Sequence, residues 1–214
     1  DAVVGAIEKK KRSRNPAAPF TTSTMQQDAV RKLGMTTDRT MRTAQQLYEG
    51  IDIKGSGTVG LISYLRTDST RISQEADEAA RTYIGEQYGE NYVSTSGKMV
   101  KKDQKIQDAH EAIRPTDISR TPAAIKESLT RDQFRLYQLI WKRFVASRMQ
   151  PAVYETISAR INAGEYLFTA ASSRLAFDGF MSVYTDPDEE KKEKNAAVRS
   201  LEAGTKLALE KMDP

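Results

Sequence analysis

The pattern of apolar and polar residues changes period along this chain of 214 residues. From about Ser23 to Gln150, apolar residues recur at the three- and four-residue spacing of amphipathic helices. Ala2 to Ile7 is apolar and compatible with a strand. After Pro151, apolar and polar residues alternate in two runs, separated by a turn at Asn162 to Gly164, which predicts a β-hairpin.

Strands at the two ends of the chain that pair with each other would form one discontinuous β-rich domain, with the helical block inserted into it. The predicted fold class is therefore α+β, a multi-helix domain inserted into a discontinuous β-rich domain. Residues 1–22 and 151–214 are assigned to the β-rich domain and residues 23–150 to the helical domain. Prolines at Pro16, Pro19 and Pro151 interrupt regular structure at the joins.

Residues that cap helix N-termini divide the central block into five predicted helices. Ser23 with Gln26, and Thr130 with Gln133, have the spacing of a capping box. The first of these helices is expected to run from about Thr24 to Leu33. The predicted starts are Ser23, Thr37, Ser73, Thr121 and Thr130, and the glycines expected to end helices are Gly34, Gly50 and Gly89.

Three stretches of the helical block lack a helical period. Asp52 to Thr58 contains two glycines and is predicted to be a loop, Val59 to Tyr64 is a short apolar run predicted to be extended, and Ser94 to Lys105 is predicted to be a polar loop. In the longest helix an aromatic stripe that includes Tyr137, Trp141 and Phe144 is expected to be core.

Composition narrows the class of protein. The chain has no cysteine, which excludes disulfides and cysteine-ligated zinc within it and favours a reducing compartment. It shows neither a membrane-spanning apolar run nor a signal-peptide pattern, so a soluble cytoplasmic protein is expected. The net charge is only +4, but Lys9 to Arg14 is a basic cluster. Such a cluster is either solvated surface or a contact for a polyanion.

Four segments of the chain together resemble one enzyme family, the type IA DNA topoisomerases. The central one has an apolar run that leads into Tyr64, Leu65, Arg66, Thr67, Asp68 and Ser69. The four segments are Pro19 to Gln27, Thr43 to Gly50, Gly60 to Arg71 and Ala109 to Pro115, and weaker similarity at 136–141 and 175–180 extends the resemblance over most of the chain. Leu65 favours the bacterial topoisomerase I branch, because topoisomerase III usually has proline at this position.

The resemblance implies a catalytic role for Tyr64, whose hydroxyl would attack a DNA phosphodiester and form a link to the 5′ phosphate. Tyrosine is usually protonated at neutral pH, so the site must favour the phenolate or accept its proton. If Leu65 is extended, Arg66 projects to the same side as Tyr64 and its planar guanidinium can bind the phosphate under attack.

The family also implies roles for residues near the tyrosine. His110 is expected to be catalytic, as a phosphate contact or proton donor, and a helical conformation of its segment would place it on one face with Arg114. Pro115 would end that helix. The residues expected to bind DNA or support the site are Gln45, Glu49, Thr67, Asp68, Glu111 and Arg114. For each of these a purely structural role remains open, such as capping for Asp68 or an exposed charge for Glu49.

Family members begin with an acidic metal-binding module (Toprim), and nothing like it precedes Asp1. The chain is therefore expected to be a central fragment that carries the nucleophile, without the ligands of the Mg²⁺ that the enzyme requires. No metal-ligating residue is predicted within it. The isolated fragment is expected to be inactive in relaxation.

The predicted function is that of a DNA topoisomerase, an isomerase that cleaves one strand, passes the other and reseals the first, and so relaxes negative supercoils. The expected partner is single-stranded DNA within negatively supercoiled duplex, and the whole enzyme is expected to be monomeric. In the family the helical domain swings away from the β-rich domain to open a gate for DNA. Two alternatives remain, a helical module that binds DNA or a partner without chemistry, and the topoisomerase III or reverse gyrase branch.

Overall fold

The computed structural model describes residues 2–95, 110–185 and 196–208. The chain forms two compact units, one of mostly β structure from residues 1–15, 151–179 and 185–214, and one mostly helical from residues 16–150 and 180–184. The fold is thus mixed α and β, as predicted. The elements in chain order are β1 (Ala2–Arg14), α1 (Thr22–Asp28), α2 (Thr37–Glu49), β2 (Ile51–Ile53), β3 (Gly57–Val59), α3 (Gln74–Tyr88), α4 (Pro122–Ile125), α5 (Arg131–Ser147), β4 (Ala152–Ala163), β5 (Tyr166–Phe177) and β6 (Lys206–Leu207).

The β unit contains a four-stranded antiparallel sheet in the order β5, β4, β1, β6. The predicted hairpin is present as β4 and β5, and Gly164 has the positive φ of 63° that their tight turn requires. Strand β1 continues past Ile7 through the basic run to Arg14, because β4 pairs with it along its whole length. The register shifts between Val4 and Ala6, with Gly5 between them.

One face of this sheet packs on a small apolar core. Val4, Ala159 and Val198 are buried there. The half-buried residues around them are Ile7, Ile157, Ile161, Ala170, Leu201 and Leu207.

The helical unit is organised around α5. The aromatic stripe of this helix is core, as expected, and its polar atoms have partners: Tyr137 donates its hydroxyl proton to the carbonyl of Arg120 at 2.7 Å, and Trp141 Nε1 donates to the carbonyl of Ile118 at 3.0 Å. Burial raises the pKa of Tyr137. Tyr83 of α3 meets Trp141 edge to face at 5.5 Å, so α3 packs on α5 through aromatic rings.

Residues 180–184 belong to the helical unit through a buried polar cluster. The hydroxyl of Tyr184 donates to Asp28 Oδ2, and Arg143 Nη1 donates to the same oxygen at 3.2 Å. Burial, and then the hydrogen bond to Asp28, raise the pKa of Tyr184, so this phenol stays protonated at neutral pH. Arg31 also binds Asp28, at 3.1 Å. A carboxylate with three donors is stable when it is taken out of water.

The capping predictions are mostly confirmed. Thr130 with Gln133 forms the predicted capping box, and Ser73 and Thr121 cap their helices. Helix α1 differs, because its capping box is formed by Thr21 with Thr24 rather than by Ser23 with Gln26. A π-helical turn, Ala29–Leu33, follows α1 and ends at Gly34 with a φ of 63°.

Backbone pairing gives regular structure to parts of the non-helical stretches of the helical block. Asp52 to Thr58, predicted to be a loop, forms most of the small hairpin of β2 and β3. In the apolar run that follows, Ile62 makes an isolated antiparallel bridge with Pro115. Most of the polar loop predicted at Ser94 to Lys105 lies outside the described residues. In the part of the chain that the structure describes, no helix is long and apolar enough to cross a membrane.

We expect Ile84→Ala to lower the free energy of unfolding by about 2–5 kcal/mol, because the Ile84 side chain is fully buried on α3 and its loss leaves a cavity. Gln87→Ala on the exposed side of the same helix should change this free energy by no more than about 0.5 kcal/mol. Urea denaturation of both variants measures the difference. Equal losses would contradict the assignment of this face of α3 to the core.

Candidate active site

Tyr64 lies outside regular secondary structure, between residues that are buried. The side chain of Tyr64 is 48% exposed, whereas Ile62 and Leu65 are each 1% exposed. Arg66 is exposed as well. Burial therefore alternates around Leu65, and Tyr64 and Arg66 are both accessible to solvent on either side of a residue that fixes the segment in the core.

Thr22, the first residue of α1, binds the backbone just after the tyrosine. Its hydroxyl lies 2.6 Å from the carbonyl oxygen of Leu65, to which it donates, and it accepts from the amide of Thr67 at 2.9 Å. The amide of Thr22 donates in turn to the carbonyl of Thr67 at 2.9 Å. One threonine thus satisfies polar backbone groups on both sides of Arg66.

The segment that contains His110 binds the backbone just before the tyrosine. Ser63 donates its amide to the carbonyl of Arg114 at 2.9 Å, and its hydroxyl donates to the carbonyl of Ala112 at 2.6 Å. The same hydroxyl accepts from the amide of Arg114 at 2.9 Å. Thr116 donates its amide to the carbonyl of Leu61 at 3.0 Å. These bonds make residues 112–116 an extended partner of residues 61–63.

The C-terminal end of α2 completes the surroundings of Tyr64. Leu61 donates its amide to the carbonyl of Leu47 at 2.8 Å, and the backbones approach so closely that a Cβ on Gly60 would lie 2.8 Å from the carbonyl oxygen of Tyr48. The ring of Tyr48 meets the ring of Tyr64 edge to face, with 5.3 Å between centroids. Helical spacing places Tyr48 on the same face of α2 as Met41, Ala44 and Leu47, which predicts that it is core, but its side chain is 39% exposed beside Tyr64.

The helical conformation that would have placed His110 and Arg114 on one face is not present. Ile113 and Pro115 make isolated antiparallel bridges with Phe20 and Ile62, so the segment is extended and His110 and Arg114 do not share a helical face. Pairing with two distant segments satisfies the backbone that a helix would otherwise satisfy, and Pro115 disfavours helical geometry at Arg114.

Four of the predicted supporting residues form two local pairs. Arg114 binds the Glu111 carboxylate through Nε at 3.0 Å and through Nη2 at 2.7 Å. Gln45 donates from Nε2 to Glu49 at 2.6 Å, one turn apart on α2. Both pairs belong to segments that contact the tyrosine segment, and each fixes the orientation of a charged group there.

The other predicted residues differ in their surroundings. Thr67 accepts from the amide of Ser69 through its hydroxyl at 3.1 Å, which is local turn chemistry. Asp68 and His110 are exposed. Thr22 and Ser63 were missed as supporting residues, although both lie within the segments that carry the family resemblance.

The described residues contain no group of three or more His, Cys, Asp or Glu side chains that could bind a metal ion. Of the carboxylates in the segments around Tyr64, Glu49 and Glu111 are each bound to a neighbouring side chain, and Asp68 is exposed. The donor set within residues 2–95, 110–185 and 196–208 thus does not fit a magnesium site.

Comparison with known proteins identifies what this arrangement is similar to. A family model described as DNA topoisomerase matches residues 1–214. Among solved structures, full-length topoisomerase I from Thermotoga maritima is similar, with 39% sequence identity and a TM-score of 0.78. The match covers 95% of this chain and 32% of the Thermotoga chain, so this chain spans about a third of that protein.

We expect Thr22→Val to lower the free energy of unfolding by about 1–3 kcal/mol and to speed hydrogen exchange at the Thr67 amide, because valine keeps the shape of threonine and leaves the Thr67 amide without its acceptor. Thr37→Val is a matched control, since Thr37 is also the first residue of a helix preceded by a threonine cap and is exposed. Denaturation and mass-spectrometric exchange provide the measurements. Unchanged exchange at Thr67 in the Thr22 variant would contradict this role.

Proposed function

Since the chain belongs to the bacterial type IA DNA topoisomerase family, we propose that Tyr64 is the nucleophile that cleaves one DNA strand through a 5′-phosphotyrosine link. The strand would later be resealed by the free hydroxyl of the DNA, after passage of the other strand, and negative supercoils would be relaxed. The observation that carries this proposal is the position of Tyr64, half-exposed where the four family segments contact one another.

The chemistry of tyrosine supports a reversible break. Attack of the phenolic oxygen on phosphorus forms one phosphoester and releases a DNA hydroxyl, and the reverse attack restores the original bond. The number of phosphoester bonds is conserved, so no external energy source is needed. The hydrogen-bonded backbone on both sides of Tyr64 favours such a reaction, because a fixed nucleophile loses little further freedom on binding its substrate.

Arg66 is proposed to bind the phosphate under attack. Its side chain is exposed two residues after Tyr64, and Leu65 between them is buried. A guanidinium donates two parallel hydrogen bonds to phosphate oxygens, which both positions the group and balances the charge that develops during attack.

The remaining family residues are proposed to position or contact the DNA backbone. His110 is proposed as a phosphate contact or proton donor, and Thr67 and Asp68 as residues that shape the turn after Tyr64. The Glu111 to Arg114 and Gln45 to Glu49 pairs are proposed to orient groups of the site, supported by the short contacts within each pair.

The whole enzyme is proposed to use Mg²⁺ held by acidic residues outside this chain, to act on single-stranded regions of DNA in the bacterial cytoplasm and to work as a monomer. The residues of this chain alone are proposed to be insufficient for relaxation of plasmid DNA. The helical unit is proposed to be inserted into the β unit as the moving part of a DNA gate. This assignment is supported by the division of the chain, whose helical residues 16–150 interrupt the β unit.

Tyr64→Phe should abolish covalent capture of DNA, because phenylalanine keeps the ring and lacks the attacking oxygen. The test uses an enzyme that joins this chain to the acidic metal-binding domain of the family, with Mg²⁺, end-labelled single-stranded DNA and a denaturing gel. Tyr48→Phe is the matched control, because it removes the hydroxyl of the ring that contacts Tyr64 and leaves the proposed nucleophile intact. Covalent labelling of the Tyr64→Phe protein would refute the assignment. Loss of labelling in the Tyr48→Phe protein alone would also refute it.

Arg66→Lys in the same enzyme should reduce the cleavage rate by on the order of ten-fold or more while DNA binding largely remains, because lysine keeps the charge but loses the planar pair of donors worth about 1.5–3 kcal/mol. Arg131→Lys, at an exposed position on α5, is the control for the substitution itself. Single-turnover cleavage and binding are measured separately. Equal cleavage rates for the Arg66 variant and the unsubstituted protein would exclude Arg66 from the chemistry.

A further inference from the structure

The basic run of β1 divides its cations between the two faces of the sheet. Alternate residues of a strand point to opposite faces, and residues directly opposite on neighbouring strands share a face. Lys10 pairs with Thr156, and Arg12 pairs with Tyr154. Thr156 and Tyr154 pair in turn with Ser173 and Leu175 of β5. Lys9 and Lys11 lie on the other face.

The face that contains Lys10, Arg12, Arg14, Tyr154 and Arg160 is called the basic face. Lys10, Arg12 and Arg160 are exposed, and Arg14 and Tyr154 are partly exposed. Among the described residues that the register assigns to this face, the acidic one is Glu8, which binds Lys10 at 2.9 Å. The basic face therefore carries an excess of positive charge.

A groove of about 690 Å³ lies on the basic face. Its lining on this face combines guanidinium groups, one aromatic ring and hydroxyls, from Arg12, Arg14, Tyr154, Thr156 and Ser173, and Ser13 of the same strand also borders it. Thr156 and Ser173 are hydrogen-bonded to each other across the strands at 3.1 Å, which holds two hydroxyls side by side in the groove.

The opposite face also carries an excess of positive charge, but it differs in what surrounds its cations. Glu155 there accepts from Arg174 at 2.8 Å, and that bond, together with the positive charges of Arg174, Lys11 and Arg199, lowers the pKa of Glu155. Farther along, Lys9 is opposite Ile157, which packs against the apolar core of the unit. A second groove, of about 380 Å³, is lined by Lys9, Lys10, Lys11, Glu155, Thr156, Ile157, Arg174 and Arg199, and no aromatic ring is among these residues. Arg12 and Arg14 of the basic face instead line a groove that contains the ring of Tyr154.

We propose that the basic face binds single-stranded DNA. Lysine and arginine side chains bind phosphates, hydroxyls donate to phosphate oxygens, and a tyrosine ring stacks on a base, which is the combination found in surfaces that bind single strands. Side chains two apart in a strand are spaced by about 6.8 Å, comparable to neighbouring phosphates of an extended single strand. A duplex keeps its bases paired and offers no base to Tyr154, so the ring selects the unpaired form.

This inference rests on the proposed function for its choice of polyanion, and adds a DNA contact in the β unit to the one proposed at Tyr64 in the helical unit. An acidic protein is the other polyanion that a basic groove accepts, but it offers no purine or pyrimidine ring to stack on tyrosine. The stacking residue therefore distinguishes the two ligands.

The test measures binding of fluorescein-labelled oligothymidylate to the chain of residues 1–214 by fluorescence anisotropy over a range of salt concentrations. Arg12→Gln with Arg14→Gln removes two cations from the groove on the basic face. Lys9→Gln with Lys11→Gln removes two from the opposite face of the same strand. The first pair should lower the slope of log affinity against log salt by about 1.4, because each phosphate contact on a single strand contributes about 0.7. The second pair should change the slope by much less.

A second measurement identifies the contact residue by photochemical cross-linking. Irradiation of the chain with an oligonucleotide that contains 5-iodouracil, followed by peptide mass spectrometry, should give a cross-link at Tyr154. Tyr154→Leu should remove it, and Tyr166→Leu, at a tyrosine that is 71% exposed at the end of the hairpin, should not. Thermal unfolding of each variant verifies that it is folded.

Equal loss of slope in the two cation pairs, or cross-links confined to residues 16–150, would overturn the binding site on the basic face. Displacement of the oligonucleotide by polyglutamate, together with an unchanged affinity of the Tyr154 variant for the oligonucleotide, would favour an acidic protein and would also overturn it. None of these results tests the proposed function, which depends on covalent capture of DNA by Tyr64. Failure of covalent capture, with the slope difference intact, would refute the nucleophile and leave the binding face.

Discussion

The need to satisfy backbone polar groups outside regular structure is the constraint on which the site around Tyr64 depends. Residues 60–67 form neither a helix nor a continuous ladder, yet their neighbours are buried, so each amide and carbonyl that is removed from water requires a partner. Thr22, the extended residues 112–116 and the end of α2 supply those partners. A segment bound in this way has one backbone conformation, and the Cα atom of an exposed side chain within it has a fixed position.

Local signals in the sequence predicted local structure well. The capping box of Thr130 with Gln133 is specified by two side chains three residues apart, and the alternation after Pro151 is specified by the period of a strand. The family resemblance named the segments that the structure brings into contact. In these cases the information needed lies within a few residues or within the spacing of a family motif.

Contacts between distant residues account for the errors. The extended form of the His110 segment depends on bridges to Phe20 and Ile62, and neither partner can be deduced from spacing within the segment itself. The exposure of Tyr48 depends on Tyr64, a residue beyond the end of its own helix. Strand β1 continues through a run of charges because β4 supplies its hydrogen bonds, whereas hydrophobic pattern alone ends the strand at Ile7. Charged side chains do not prevent pairing when they face solvent.

The register shift at Gly5 determines to which face of the sheet each later side chain of β1 points. Before it Val4 is buried, and after it Ile7 packs on the same core, which is an odd separation that an uninterrupted strand does not allow. A Cβ at Gly5 would lie 2.7 Å from Asn162 Nδ2, so a larger residue there would displace the end of the Asn162 side chain. Loss of one residue at this point would exchange the two sets of alternating cations, so that lysines now beside the core would face outward. The set of cations on each face therefore depends on the register shift at Gly5, a residue that carries no charge.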